Sequence, residues 1–305
     1  TISTIYTAKL ESIYFIIIIS FYGNWQMGSF FGHALPGTFF YMFGVWHLVN
    51  TFYYFIKYNG SQNNNSKKFL LAHSLRFCCL KKHIPLEGIV KLACCTIGMS
   101  VECWGFFHGI PAMYQHFTMY AFFGFAGLVD ILLHYDFSIP EKFDFCIHAL
   151  SFYVEGMLFA FHVHGQTSLE VVLHVLLVYV CYFGALVVAF MMIFNKQLMF
   201  RVLLSLCFLI QGSWFWQVAI ILYPIIEPSQ WCETCHEDVM TATMIFCWHI
   251  FLNALLAIIL YSIIFRIIKP VETETSTQYE HLKNDQDFDI EEQKYRTAFK
   301  DQNVH

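Results

Sequence analysis

Apolar residues follow one another along this chain in seven long runs, at about 37–57, 88–108, 113–134, 143–164, 168–194, 202–226 and 240–266. Each run approaches the roughly 20 residues that an α-helix needs to cross a bilayer core of about 30 Å. The runs are continuous and do not alternate apolar with polar residues, as strands of a membrane barrel would. An all-α membrane protein with a seven-transmembrane helix bundle is therefore expected. Little chain is left between the runs for a soluble domain. No internal repeat, P-loop or dinucleotide-type glycine fingerprint is visible.

Composition agrees: 57% of the residues are hydrophobic, 19% aromatic and only 13% charged, with a mean hydropathy of +0.53, which is far from an average soluble domain. The net charge of -5 matters less than where the bases lie. Lys57, Lys67, Lys68, Arg76, Lys81 and Lys82 sit between runs one and two, Lys142 between three and four, Lys196 and Arg201 between five and six, and Arg266 and Lys269 after run seven. The other three connections carry no Lys or Arg. Positive loops stay in the cytosol, so the start of run one is expected outside or in the lumen and the C-terminus in the cytosol. Two glycosylation triplets, Asn59-Gly60-Ser61 and Asn64-Asn65-Ser66, fall in the most basic loop and conflict with that placement. The charge pattern rests on several loops and is preferred to a three-residue motif.

Residues 1–26 hold an apolar run from Ile13 to Tyr22 that is too short to span, with no A-x-A-like cleavage site after it. They are expected to be an extension outside the fold, with Met27 as the start. Residues 27–268 form the helix domain, and the polar segment 269–305 is expected to be a disordered cytosolic tail. Most of the eleven cysteines are apolar filling. Cys232 and Cys235 can form a local disulfide in a lumenal loop, and Cys78 and Cys79 suit palmitoylation.

The candidate chemistry lies in polar groups that interrupt the apolar runs, because ionisable side chains inside a membrane are costly and mark sites. The segment Glu155 to His164 reads EGMLFAFHVH, and Glu102, His116, His174 and His249 interrupt other runs. At about 1.5 Å per residue, Glu102, Glu155, Gln217 and His249 lie roughly 10–14 Å below the outer surface, and His116, His162 and His174 about 3–9 Å below it. Glu155 and His162 face the same way but are about 10 Å apart along the helix, so they cannot share one metal. Glu155 is instead expected to face His249 and Glu102 in a deep tier, and His162 to face His116 and His174 above. His164 is turned away from His162. Asp130, near the other end of its run, is expected to pair with a base. In the segment QGSWFWQ, small residues suit close helix packing, and Trp214, Trp216 and Gln217 suit the lining of a ligand cavity. Pro36 and Gly37 suit a turn or helix start, and His33 stands where it could cap the cavity.

The blocks GHALPG at 32–37, QHFTMY at 115–120, VEGMLFAFHVH at 154–164, QGSWFWQ at 211–217 and FCWH at 246–249 together resemble the transmembrane protein 45 family of multi-pass proteins. The resemblance runs from about Met27 to residue 268. It implies seven spans and no established reaction or ligand. The family's polar signature corresponds here to Glu102, His116, Glu155, His162, His164, Gln211, Gln217 and His249. The chain departs from the family in the Asn-rich loop at 58–70 and in a shortened connection at 108–114.

Three function classes remain. The first is a metal-dependent membrane protein, such as a hydrolase of lipid-like substrates, with Glu155 as ligand or general base and His116, His162, His249 and Glu102 as ligands of zinc or another transition metal. The second is a proton-coupled transporter or channel in which the same groups relay protons. The third is a non-enzymatic receptor or scaffold whose tail binds cytosolic partners, although no D-R-Y triplet ends run three. The expected partners are membrane lipids and not nucleic acid, in a membrane of the secretory pathway or the cell surface.

Overall fold

The computed structural model describes residues 30–58, 84–107, 111–161, 166–194, 197–224 and 231–268. Among them all regular structure is helical, in seven helices: α1 (Phe30–Tyr58), α2 (Leu86–Phe107), α3 (Pro111–His134), α4 (Phe143–Phe161), α5 (Ser168–Ile193), α6 (Leu198–Leu222) and α7 (His236–Ile267). Helices α3 to α7 are long and apolar enough to cross a membrane. Helices α1 and α2 are long but more polar, α1 through its Tyr, Trp and His residues and α2 through Glu87, Lys91 and Glu102. The segments 1–26 and 269–305, the two sequons, Cys78, Cys79, His162 and His164 lie outside the described residues.

Local chemistry sets several helix ends. Pro111 opens α3, where its missing N–H would have no helical partner in any case. Before α5, Thr167 and Glu170 form a reciprocal capping box: the Glu170 N–H donates to Thr167 Oγ1 at 3.4 Å, and the Thr167 N–H to Glu170 Oε2 at 3.1 Å. Helix α1 differs from expectation. It begins at Phe30, and Pro36 lies inside it rather than at its start. A proline is tolerated inside a helix of a membrane bundle because neighbouring helices hold the segment in place.

The helices pack as a chain of neighbours: α2 on α3, α3 on α4, α4 on α5, α5 on α6, and α6 on α1. Helix α7 lies outside, against α1, α5 and α6, and leaves Trp248, Phe251 and Ile258 exposed. Helices α1 and α6 cross closely. A Cβ on Gly212 would lie 2.8 Å from Gly37 O, and one on Gly37 would lie 3.0 Å from Gly212 O, so small residues set this approach. The ends of consecutive helices meet in two sets. The end where α1 and α3 finish and α2, α4 and α6 begin is termed the lower end, and the opposite one the upper end. At the upper end the Leu169 N–H donates to Glu233 O at 3.0 Å, tying the start of α5 to the loop before α7. In that loop Cys232 and Cys235 are joined in a disulfide.

Candidate functional site

Two layers of buried polar side chains occupy the bundle, one toward each end. The lower layer centres on Lys91. The pairs Glu87/Lys91 on α2 and Asp144/His148 on α4 are each spaced i, i+4, which puts both members of a pair on one helix face. Lys91 Nζ lies 2.7 Å from Glu87 Oε1 and 2.8 Å from Asp130 Oδ2 of α3, with both carboxylate side chains 1% exposed. Asp130 thus pairs with a base inside the bundle. His47 of α1 places Nε2 3.1 Å from Glu87 Oε1. His148 Nδ1 must donate to the Asp144 carbonyl at 2.8 Å, since a carbonyl only accepts. Its Nε2 then accepts from the Lys91 ammonium at 3.0 Å. At 3.7 Å the approach of that nitrogen to Asp130 Oδ2 is not a bond. Arg201 of α6 is buried within electrostatic reach of Glu87 and Asp144. It lies in the first turn of α6 and not in a loop.

The upper layer holds the residues singled out by depth, in separate pairs. Glu102 Oε1 is 3.3 Å from His116 Nδ1, joining α2 to α3. Glu155 of α4 is fully buried and accepts from Gln211 Nε2 of α6. His249 Nδ1 lies 3.0 Å from Ser213 Oγ. That hydroxyl donates to Ile210 O and accepts from Asn253 Nδ2, so His249 is the donor of its pair. Glu155 and His249 therefore address different partners on α6. His174 donates through Nδ1 to Glu170 O at 2.8 Å, and its ring lies 5.9 Å from that of His33. The His33 ring also lies 5.4 Å from that of Tyr223, in a tilted arrangement. Among the described residues no three His, Cys, Asp or Glu side chains form a group able to hold a metal ion.

Trp214 and Trp216 take different places. Trp214 is wholly buried and donates Nε1–H to Leu173 O at 3.0 Å. Trp216 is 40% exposed and donates to Thr38 Oγ1 at 3.2 Å. Gln217 is half-buried. None of the three lines the cavity between the layers.

That cavity, of about 50 Å³, is lined by Lys91, His148, Tyr120 and Cys95 together with the rings of Phe40, Phe123 and Phe208. Tyr120 is within electrostatic reach of Glu102 and Glu155. The aromatic walls form a plug between the layers. Phe40 lies 5.5 Å from Phe123, 6.0 Å from Phe208 and 5.9 Å from Phe215, and Phe152 lies 5.6 Å from Phe123 and 5.2 Å from Phe208. His47 stacks on Phe208 at 5.4 Å, joining the plug to the lower layer. Two buried carboxylates have one oxygen engaged and another, Glu102 Oε2 or Asp130 Oδ1, with no hydrogen-bond partner among the described residues, while Glu155 is bonded by both Gln211 and the Cys181 thiol.

The lower layer, apart from Asp130, was not singled out from the sequence. Its signal was available: Lys91 interrupts an apolar run, and two acid–base pairs recur at i, i+4.

Comparison with known proteins gives relatives without a described reaction. Residues 141–262 match a "family of unknown function (DUF716)". The chain is 25% identical over 252 residues to transmembrane epididymal protein 1A of Mus musculus and 24% identical over 254 residues to transmembrane epididymal protein 1 of Rattus norvegicus, covering 78% of this chain and 81% of each relative. Transmembrane epididymal protein 1 of Homo sapiens is 26% identical over 150 residues, which is 47% of this chain and 53% of that protein. Over residues 141–262, from the loop before α4 into α7, this chain is similar to the DUF716 family of unknown function, and its apolar helices and transmembrane-named relatives make it a multi-pass integral membrane protein.

Proposed function

We propose that this protein is a proton-coupled membrane transport protein, seen here with its path closed. The observation that carries this reading is the series Asp130, Glu102 and Glu155. These are three buried acids on both sides of an aromatic plug, and Asp130 below it and Glu102 above it each keep an oxygen available to take a proton. A purely structural ion pair gains by satisfying both oxygens, since unpartnered buried polar atoms are costly. Intramembrane acids beside histidines are the groups with which pumps and transporters relay protons. The plug separates the layers, so proton movement requires Phe40, Phe123 and Phe208 to part, as in an alternating or gated path.

In this reading all seven helices cross the membrane, with the upper end outside or lumenal and the lower end cytosolic. At about 1.5 Å per residue α1 and α2 are long enough, and His47, Glu87, Lys91 and Glu102 on them are buried in the bundle. The resemblance of the sequence blocks to the transmembrane protein 45 family supports this reading. A transition metal at His116, Glu102, Glu155 and His249 has weaker support, since these residues pair separately.

The test is proton uptake into proteoliposomes loaded with the pH dye pyranine, under an imposed pH gradient and membrane potential. Wild type should exceed protein-free vesicles. Asp130→Asn should lower the excess by about tenfold, the effect of ~1.4 kcal/mol on a barrier. Wild-type uptake equal to that of empty vesicles, or unaffected by Asp130→Asn, would contradict the proposal.

A further inference from the structure

Helices α1 and α2 follow one another in the chain yet are not packed together: α1 rests on α6 and α7, and α2 on α3. At the lower end they are bridged by His47 and Glu87. Beside that bridge, a groove of about 240 Å³ lies between Phe39, Met42, Phe43 and Trp46 of α1 and Leu86, Glu87, Val90 and Cys94 of α2. Its rim is apolar and open, with Met42 63% and Val90 37% exposed. On the proposed topology, in which α1 and α2 also cross the membrane, that rim is continuous with the lipid-facing surface. Phe39, Phe43 and Cys94 also line the cavity at Lys91 and His148, so the groove borders the closed path from the side.

We propose that this groove holds one acyl chain of a membrane phospholipid. An apolar cavity of about 150 Å³ stays dry and takes up a molecule such as benzene, and unfilled space forfeits dispersion contacts along its walls. A larger apolar groove that opens sideways into lipid therefore takes hydrocarbon and not water. Its size lies below the roughly 300–1,000 Å³ of sites for drug-sized molecules, which favours a single slim chain over a fused-ring sterol. The groove runs from Trp46 and Leu86 near the lower end toward Phe39 and Cys94 nearer mid-bundle. A phospholipid in the leaflet at the lower end enters it with its head outward and its tail toward the plug. The chain then seals the gap between α1 and α2 and shields the Glu87–Lys91 pair from the side.

The experiment is photolabelling of full-length protein in phosphatidylcholine vesicles that contain either phosphatidylcholine with a diazirine in its acyl chain or a diazirine sterol, with labelled sites mapped by mass spectrometry. The phospholipid probe should label residues 39–46 and 86–94 more heavily than the exposed α7 face at Phe251 and Ile258. Val90→Trp from one wall and Met42→Trp from the other should each lower groove labelling about tenfold while leaving α7 labelling unchanged. Labelling no heavier than on α7, labelling that survives both substitutions, or preference for the sterol would overturn the assignment. None of these readouts depends on proton transport.

Discussion

Replacing Lys91 by Met keeps most of the apolar stem and removes the ammonium that joins α2, α3 and α4. Its nitrogen lies 2.7 Å from Glu87, 2.8 Å from Asp130 and 3.0 Å from His148, with both acids 1% exposed. Without it two carboxylates face each other inside the bundle. Removing one partner of a buried ion pair costs about 3–5 kcal/mol. For a domain of 150–250 residues each 1 kcal/mol moves the melting temperature by about 2–4 °C, so a fall of about 6–20 °C is expected. Arg201, within reach of Glu87, offsets part of the loss and favours the lower half of that range. The assay is thermal unfolding of detergent-purified protein, followed by size-exclusion recovery. Combining Lys91→Met with Asp130→Asn removes one charge of each sign, so stability should partly return, with a coupling of about 0.5–3 kcal/mol. A Lys91→Met melting point within about 2 °C of wild type would refute a buried, ion-paired lower layer.

The crossing of α1 and α6 gives another expectation. In Gly212→Ala the new methyl would meet Tyr41 N, with Tyr41 Cα at 2.7 Å and Gly37 O at 2.8 Å. These are backbone atoms that cannot swing aside, so a loss of about 1–3 kcal/mol should appear in the same unfolding assay. Orientation is tested by a membrane-impermeant maleimide on cysteines placed at the two ends, with the parent chain as background. In sealed vesicles with the lumenal face outward, Glu237→Cys at the upper end should be labelled directly, and Asp136→Cys at the lower end only after permeabilisation. The reverse pattern would invert the proposed topology.

Helices were the most legible feature of the sequence, because continuous apolar runs fix their places: α3 was expected at 113–134 and occupies 111–134. The entry to α1 was not legible, since Pro36 and Gly37 signal a helix start in isolation and only the packing on α6 carries the helix past them. Depth along a helix gave height but not direction. It put Glu102 and His116 in different tiers, although they meet, and it grouped Glu155 with His249, which bond different partners because α7 packs outside the ring. The lower layer was hidden for a related reason. Arg201 counted as a loop base, and Glu87 fell just outside the apolar run that was taken as span two, although both are buried. A base at a span edge reads as a topology signal until its partners on other helices are known. The groove between α1 and α2 has no sequence signal, because it arises from consecutive helices that pack on different neighbours.

Proton flux through an opened plug tests the transport proposal most directly. Phe123 contacts both Phe40 and Phe152, and Phe123→Ala removes a ring from the barrier between the layers at a stability cost of about 3–5 kcal/mol. In pyranine-loaded proteoliposomes, folded Phe123→Ala protein should take up protons faster than wild type, and adding Asp130→Asn should abolish the increase. Folded Phe123→Ala protein that conducts no faster than wild type would contradict a gated path through the bundle and leave the buried charges with a structural role alone.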